Sequence, residues 1–247
     1  MKLNLMKWAL PAFAVTALLA GDAAAGIPGK TSYGARLGYN NMSLNGNAIT
    51  EAADFNAGNP VPQKKFDKNY GAATGSLFIS HDVDVHRNLC LGLEGYVGGS
   101  NMDTGRISHV VDEGTEPSTA MTTVRKDYTA GLRLKLGHHI KNDVMAYLSF
   151  GGEVSRFKID HVTHLDGVNI GFNSGTGISK NKTLYAWVPG VGVKWKLKGN
   201  WCCNIDATYA MYDSYSEEVS KTPANYRYQL GFRPTVFGLT VGFSRPF

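Results

Sequence analysis

Three features of this sequence predict an all-β chain closed into an eight-stranded antiparallel up-and-down transmembrane β-barrel. The first is the alternation that runs to the last residue. The second is the alternation of short and long connections between strand-like segments. The third is the confinement of charge to one parity of those segments. At the C-terminus, Phe237, Leu239, Val241, Phe243 and Phe247 share one parity, and Gly238, Thr240, Gly242 and Ser244 share the other. A period of two separates these sets onto opposite faces of a strand. Terminal residues usually fray, whereas a strand that ends on an aromatic and must pair with the first strand removes a sheet edge from lipid. Arg245 interrupts the apolar parity near the end.

Seven further segments repeat this period. The first, 32–41, sets Tyr33, Ala35, Leu37 and Tyr39 against Gly34, Arg36 and Gly38. The second, 70–81, is rich in Gly and Ala and better patterned at Leu77 and Ile79. The third, 89–98, opposes Leu89, Leu91, Leu93 and Val97 to Cys90, Gly92, Glu94 and Tyr96. The fourth, 126–136, carries Tyr128, Ala130, Leu132, Leu134 and Leu136 on one parity and Gly131, Arg133 and Lys135 on the other. The fifth, 144–157, has Ala146, Leu148, Phe150 and Val154 against Tyr147, Ser149 and Glu153. The sixth, 183–197, has Tyr185, Trp187, Val191, Val193 and Trp195 against Gly190, Gly192 and Lys194. The seventh, 201–212, has Trp201, Ile205, Ala207 and Tyr209 against Asn204, Asp206 and Thr208.

Segments 82–88, 137–143 and 198–200 are short, while the other connections run to roughly twenty residues or more, beyond the ~2–5 of a hairpin loop. Outer-membrane barrels have this asymmetry, with short periplasmic turns and, here, four long extracellular loops. The even strand count returns the chain to its starting side.

Charge decides which face meets lipid. Arg36, Glu94, Arg133, Lys135, Glu153, Lys194 and Asp206 all lie on the parity opposite the apolar residues. A soluble ligand-binding barrel would be built the other way round. Eight strands enclose a space that side chains can fill, and a charge there needs a partner. The expected lumen therefore holds ion pairs, with Glu94 facing Arg133 and Lys194 facing Asp206, and it is closed rather than conducting. Tyr33, Tyr128, Tyr185, Trp187, Trp195 and Trp201 sit near strand ends, where an interfacial girdle belongs.

The N-terminus supplies the export route. Lys2 and Lys7 precede an apolar stretch at 8–20, and Ala23, Ala24 and Ala25 fit a cleavage site. The expected organisation is a cleaved signal peptide over 1–25 and a barrel domain over 26–247. The apolar run is shorter than the ~20 residues of a spanning helix. The 29 Gly, with 12 Tyr, 11 Phe and 4 Trp, suit an all-β chain with many turns, and a net charge of +5 is too modest to indicate a nucleic-acid partner.

The Ala23-Ala24-Ala25 signal, the Tyr-Gly-Ala-Arg-Leu-Gly-Tyr run at 33–39 and the Phe-Gly-Leu-Thr-Val-Gly-Phe run at 237–243 resemble the opacity/OmpA-like family of eight-stranded outer-membrane β-barrel proteins. The resemblance implies a surface-exposed protein of the outer membrane of a Gram-negative bacterium, often immunogenic or in contact with host or envelope. It also implies that Phe243 and Phe247 form an assembly signal for the barrel-assembly machinery. Expected partners are outer-membrane lipid, lipopolysaccharide and a host or envelope surface ligand met through the loops, with the protein a monomer. A narrow solute channel and an outer-membrane lipid-modifying enzyme are the competing classes.

No catalytic, metal or cofactor site is expected. His81, His86, His109, His138, His139, His161 and His164 are scattered, and the His138–His139 pair, in a periplasmic turn next to Lys141, is expected to have no carboxylate or Cys cluster near it. Ser80, His81 and Asp82 are contiguous on a strand and alternate faces, so they cannot form a triad. Cys90 and Cys202 are expected on opposite sides of the lumen, beyond the ~7 Å a disulfide spans. Cys203 faces the other way, and all three act as small hydrophobes. The segment at 213–234 holds Tyr226, Tyr228 and Phe232, which could touch a partner, although an extension of the last two strands above the membrane is the preferred reading.

Overall fold

The computed structural model describes residues 29–52, 63–110, 118–165, 177–221 and 226–247. The expected signal peptide at 1–25 and its cleavage site lie outside them. The strands are β1 (Lys30–Ala52), β2 (Gln63–His86), β3 (Leu89–Asp103), β4 (Ile107–Val110), β5 (Ser118–Lys141), β6 (Val144–Leu165), β7 (Gly177–Lys196), β8 (Cys202–Tyr212), β9 (Tyr215–Lys221) and β10 (Tyr226–Pro246). Each pairs antiparallel with its neighbour. β4 continues β3 along the edge of β5, and β9 continues β8 along β10, so the ring has eight walls. β1 and β10 close it from Ser32 opposite Pro246 to Ala52 opposite Tyr226. The N–H of Phe247 donates to the Thr31 carbonyl at 3.0 Å, which ties the last residue into the seam.

Two of the short turns are two residues, Arg87–Asn88 and Asn142–Asp143. The third is a single 3-10 turn, Lys198–Asn200, where Gly199 and Asn200 have φ of 73° and 63°. Gly and Asn are the residues that enter this left-handed region at least cost.

The strands exceed their expected lengths at the other end. Much of the sequence assigned to long loops is paired backbone, including 45–52, 63–69, 118–125 and 226–234. The reason lies in the solvent. Along β1, apolar side chains point outward at Leu37 and Tyr39, then inward at Met42 and Leu44, while Asn41 and Asn45 face out. β6 makes the same switch from outward Leu148 and Phe150 to inward Phe157 and Ile159. β10 switches between inward Phe232 and Val236 and outward Phe237 and Leu239. Below the switch the wall faces lipid, and above it the wall faces water and encloses its own apolar core.

The outward belt is exposed and apolar. Leu37 is 74% accessible, Leu134 65% and Leu148 61%. A continuous apolar band of this kind is a membrane surface. Along β10 it runs from Phe237 to Phe243 and, past the outward Arg245, to Phe247 just beyond the strand, which at a strand rise of ~3.3 Å and a tilt of ~40° spans about 25 Å, the height of an outer-membrane barrel's band.

One irregularity matters for the interior. A β-bulge on β5 between Lys126 and Thr129 reverses the facing of its residues, so Lys126 and Arg133 both point into the lumen although their parities differ. Where β3 gives way to β4, Arg125 pairs with Asp103 at 2.7 Å and the Gly105 N–H donates to Asp103 at 2.9 Å. Partial burial pushes the Asp103 carboxyl up, but these two donors outweigh it and hold it below the ordinary aspartate range.

Candidate functional site

The densest polar cluster lies midway along the lumen. Glu94 on β3 is fully buried, and its Oε1 accepts Nε and Nη2 of Arg133 on β5 at 3.1 and 2.5 Å. Its Oε2 accepts Arg36 of β1 and Lys135 of β5. Asp206 on β8 faces the same guanidinium groups, 3.4 Å from Arg36 Nε and 3.7 Å from Arg133 Nη2. The Tyr147 hydroxyl donates to Asp206 at 2.6 Å, and the Asn204 amide donates to its second oxygen. Three cations thus share two carboxylates. The cations also lie over rings, with Arg36 4.0 Å from the Phe78 centroid, Arg133 5.2 Å from Tyr96 and Lys135 5.1 Å from Tyr147.

Glycines make room for this layer. Gly192 stands opposite both Tyr147 and Asp206, and Gly242 stands opposite Arg36 and Asn204. A Cβ at Gly192 would lie 2.5 Å from the Tyr147 ring, and one at Gly242 would lie 2.7 Å from the Arg36 side chain. Side chains this large fit inside eight strands because their lateral neighbours have none.

Further polar groups flank the layer on both sides. Toward the periplasmic turns, Lys194 donates to Asp82 at 2.7 Å. Toward the long-strand end, Glu153 accepts Lys126 at 3.3 Å and the hydroxyls of Tyr96, at 2.8 Å, and Tyr212. Between Arg36 and Arg133 below and Glu153 and Lys126 above lies a polar cavity of about 80 Å³, room for a few waters. Above Glu153 the lumen turns apolar and packs shut with Met42, Leu44, Met102, Val124 and Phe157, all at 0–1% exposure. Phe157 meets Tyr212 edge-on at 5.1 Å.

No protein-family model and no curated protein matches the sequence. Solved structures do match in shape. The outer-membrane protease OmpT from Escherichia coli is 10% identical, with 88% of this chain and 97% of that chain covered and a TM-score of 0.50. OprG from Pseudomonas aeruginosa is 8% identical over 88% and 97%, TM-score 0.46. The attachment invasion locus protein Ail of Yersinia pestis is 11% identical over 88% and 99%, TM-score 0.35. The fold is the outer-membrane β-barrel. At these identities the likeness extends to the fold alone.

Within the barrel, six of the seven expected lumen residues, Arg36, Glu94, Arg133, Lys135, Glu153 and Asp206, lie in the central layer or the one above it. Glu94 and Arg133 pair as expected. The expected Lys194–Asp206 pair does not form. Lys194 sits opposite Asn204, lower in the lumen, and reaches across to Asp82, while Asp206 is held by two arginines. Lys126, Asp82 and the Tyr96, Tyr147 and Tyr212 hydroxyls were not anticipated. The bulge hides Lys126 on what reads as the lipid parity, and Asp82 looks like turn sequence.

Ser80 bonds Ser32 in the lumen, His81 bonds Thr31, and Asp82 bonds Lys194, so the contiguous Ser-His-Asp run is split among three partners. All three cysteines are free thiols. Phe232 is buried against Tyr215, with ring centroids 4.9 Å apart, and is not available to a partner. Tyr226 and Tyr228 lie on paired backbone of β10, and their side chains are outside the described residues. Phe243 and Phe247 face lipid, and Phe247 packs 5.2 Å from Tyr33 across the seam. The reading of His139 as remote from any carboxylate or thiol is corrected by its neighbours, Asp84 and Cys90.

Proposed function

We propose that the protein is a closed outer-membrane scaffold that works at the cell surface, in the manner of an opacity-like surface antigen or adhesin. The observation that carries this reading is the division of the barrel into a filled lumen and a tall projecting wall. β1 continues thirteen residues past Tyr39, which at ~3.3 Å per residue and a tilt of ~40° lifts its tip roughly 30 Å beyond the belt. A wall of that height is unnecessary for anchoring alone, and a lumen shut by both an ionic layer and an apolar layer does not favour transport. Residues above the belt therefore hold whatever partner specificity the protein has.

The chain reaches a Gram-negative outer membrane behind a signal peptide removed at Ala25, and its last strand, with Phe243 and Phe247, is read by the barrel-assembly machinery. Just above the belt, Arg156 and Lys158 on the outer wall of β6, with Arg156 5.8 Å from the Tyr128 ring, suit the anionic headgroups of lipopolysaccharide. The test is surface expression in a laboratory strain, with adherence to epithelial monolayers and matrix-coated plates as readout. The full chain should confer adherence, and a variant with the β9–β10 wall shortened to the belt should reach the membrane folded yet lose it. Equal adherence with and without the projecting wall would contradict the proposal.

A further inference from the structure

At the periplasmic mouth, below the charge layer, Asp84, Cys90 and His139 stand on three adjacent strands. Asp84 pairs with Cys90 across β2 and β3, and Cys90 pairs with Gly137 across β3 and β5. His139 is thus the next residue on the same face of β5. One ligand atom from each lies within 4.8 Å of the other two. His139 Nε2 and Asp84 Oδ1 are 3.2 Å apart, close to the ~3.3 Å edge of a tetrahedron with metal–ligand bonds of about 2.0 Å. The strand register shifts beside both Asp84 and His139, and bulges re-aim side chains in this way. The thiol has little other engagement, a weak contact of 3.8 Å to the Leu91 carbonyl. Met145 and Tyr147 bury it, while Asp84 is exposed. The ammonium of Lys194, which would oppose a bound cation, is held by Asp82.

We propose that this trio is a site for one borderline divalent transition-metal ion of the Zn²⁺ type. The ion is held by the Cys90 thiolate, the His139 Nε2 lone pair and an Asp84 carboxylate oxygen, with water in the fourth position. Sulfur, imidazole and carboxylate donors in a four-coordinate set suit Zn²⁺ and are poorly matched to Ca²⁺ or Mg²⁺. Cys90 releases its proton to the periplasm on binding, and His139 binds as the tautomer protonated at Nδ1. The bound ion ties β2, β3 and β5 together at the turn end of the barrel, independently of any role of the opposite rim.

The experiment is a Co²⁺ titration of the refolded full-length barrel, with Zn²⁺ as competitor. One equivalent of Co²⁺ should produce the visible bands of a tetrahedral ion and a near-ultraviolet thiolate-to-cobalt charge-transfer band, both removed by Zn²⁺. Cys90→Ser should abolish the charge-transfer band. His139→Ala and Asp84→Asn should each weaken binding roughly tenfold or more, and Cys202→Ser should leave it unchanged. Heat-modifiable gel mobility verifies that each variant is folded. The absence of a saturable band, a band that survives Cys90→Ser, or one lost in Cys202→Ser would overturn the assignment and leave an ordinary His–Asp pair beside an inert thiol.

Discussion

Glu94 is the residue on which the lumen turns. Its two oxygens accept donors from Arg36, Arg133 and Lys135, and it has no exposure to water. Replacing it with Ala leaves three cations facing one another across a space with one remaining carboxylate, Asp206. Breaking a buried pair from one side costs about 3–5 kcal/mol, so denaturant unfolding of Glu94→Ala in detergent or vesicles should show a loss of that order. The double change with Arg133→Ala should cost less than the sum of the single changes; additive losses would mean that the two side chains do not share an environment. This pair was legible in the sequence because both residues lie on the polar parity of neighbouring strands at matching distance from a turn. Asp206 and Lys194 met the same criterion and still found other partners. Alternation fixes which face a side chain occupies. It does not fix how far a long side chain reaches across a narrow lumen, and Lys194 crosses it to Asp82.

At the scale of strands, the lipid-embedded part was readable and the part above it was not. Period-two scanning looks for one apolar face per segment. The apolar face of β1 passes from Tyr39 to Met42, and that of β10 from Phe237 to Val236, so each strand looks as though it ends at the membrane border. The bulge in β5 adds a second change of phase, which concealed Lys126. The C-terminal strand had no such interruption below Phe237. Its pairing with β1 continues to the end of the chain, where the Phe247 amide bonds Thr31 and its ring meets Tyr33. Deleting Phe247 removes that contact and the terminal aromatic together. The folded fraction in the outer membrane, read by heat-modifiable mobility, should fall; an unchanged fraction would show that the seam closes without it.

As a whole molecule, this membrane barrel is closed. Two unlike materials close it, an ionic layer around Glu94 and Asp206 and an apolar layer around Phe157 and Met42, separated by a small polar cavity. Freely conducting porins use about sixteen or more strands, and an eight-stranded wall encloses a space that side chains can fill. The most direct measurement is the conductance of refolded monomer in a planar bilayer. The unmodified protein should show no large, long-lived open state and at most small intermittent events, and Glu94→Ala should make those events more frequent. A steady, porin-sized conductance from the unmodified protein would show that the lumen is open.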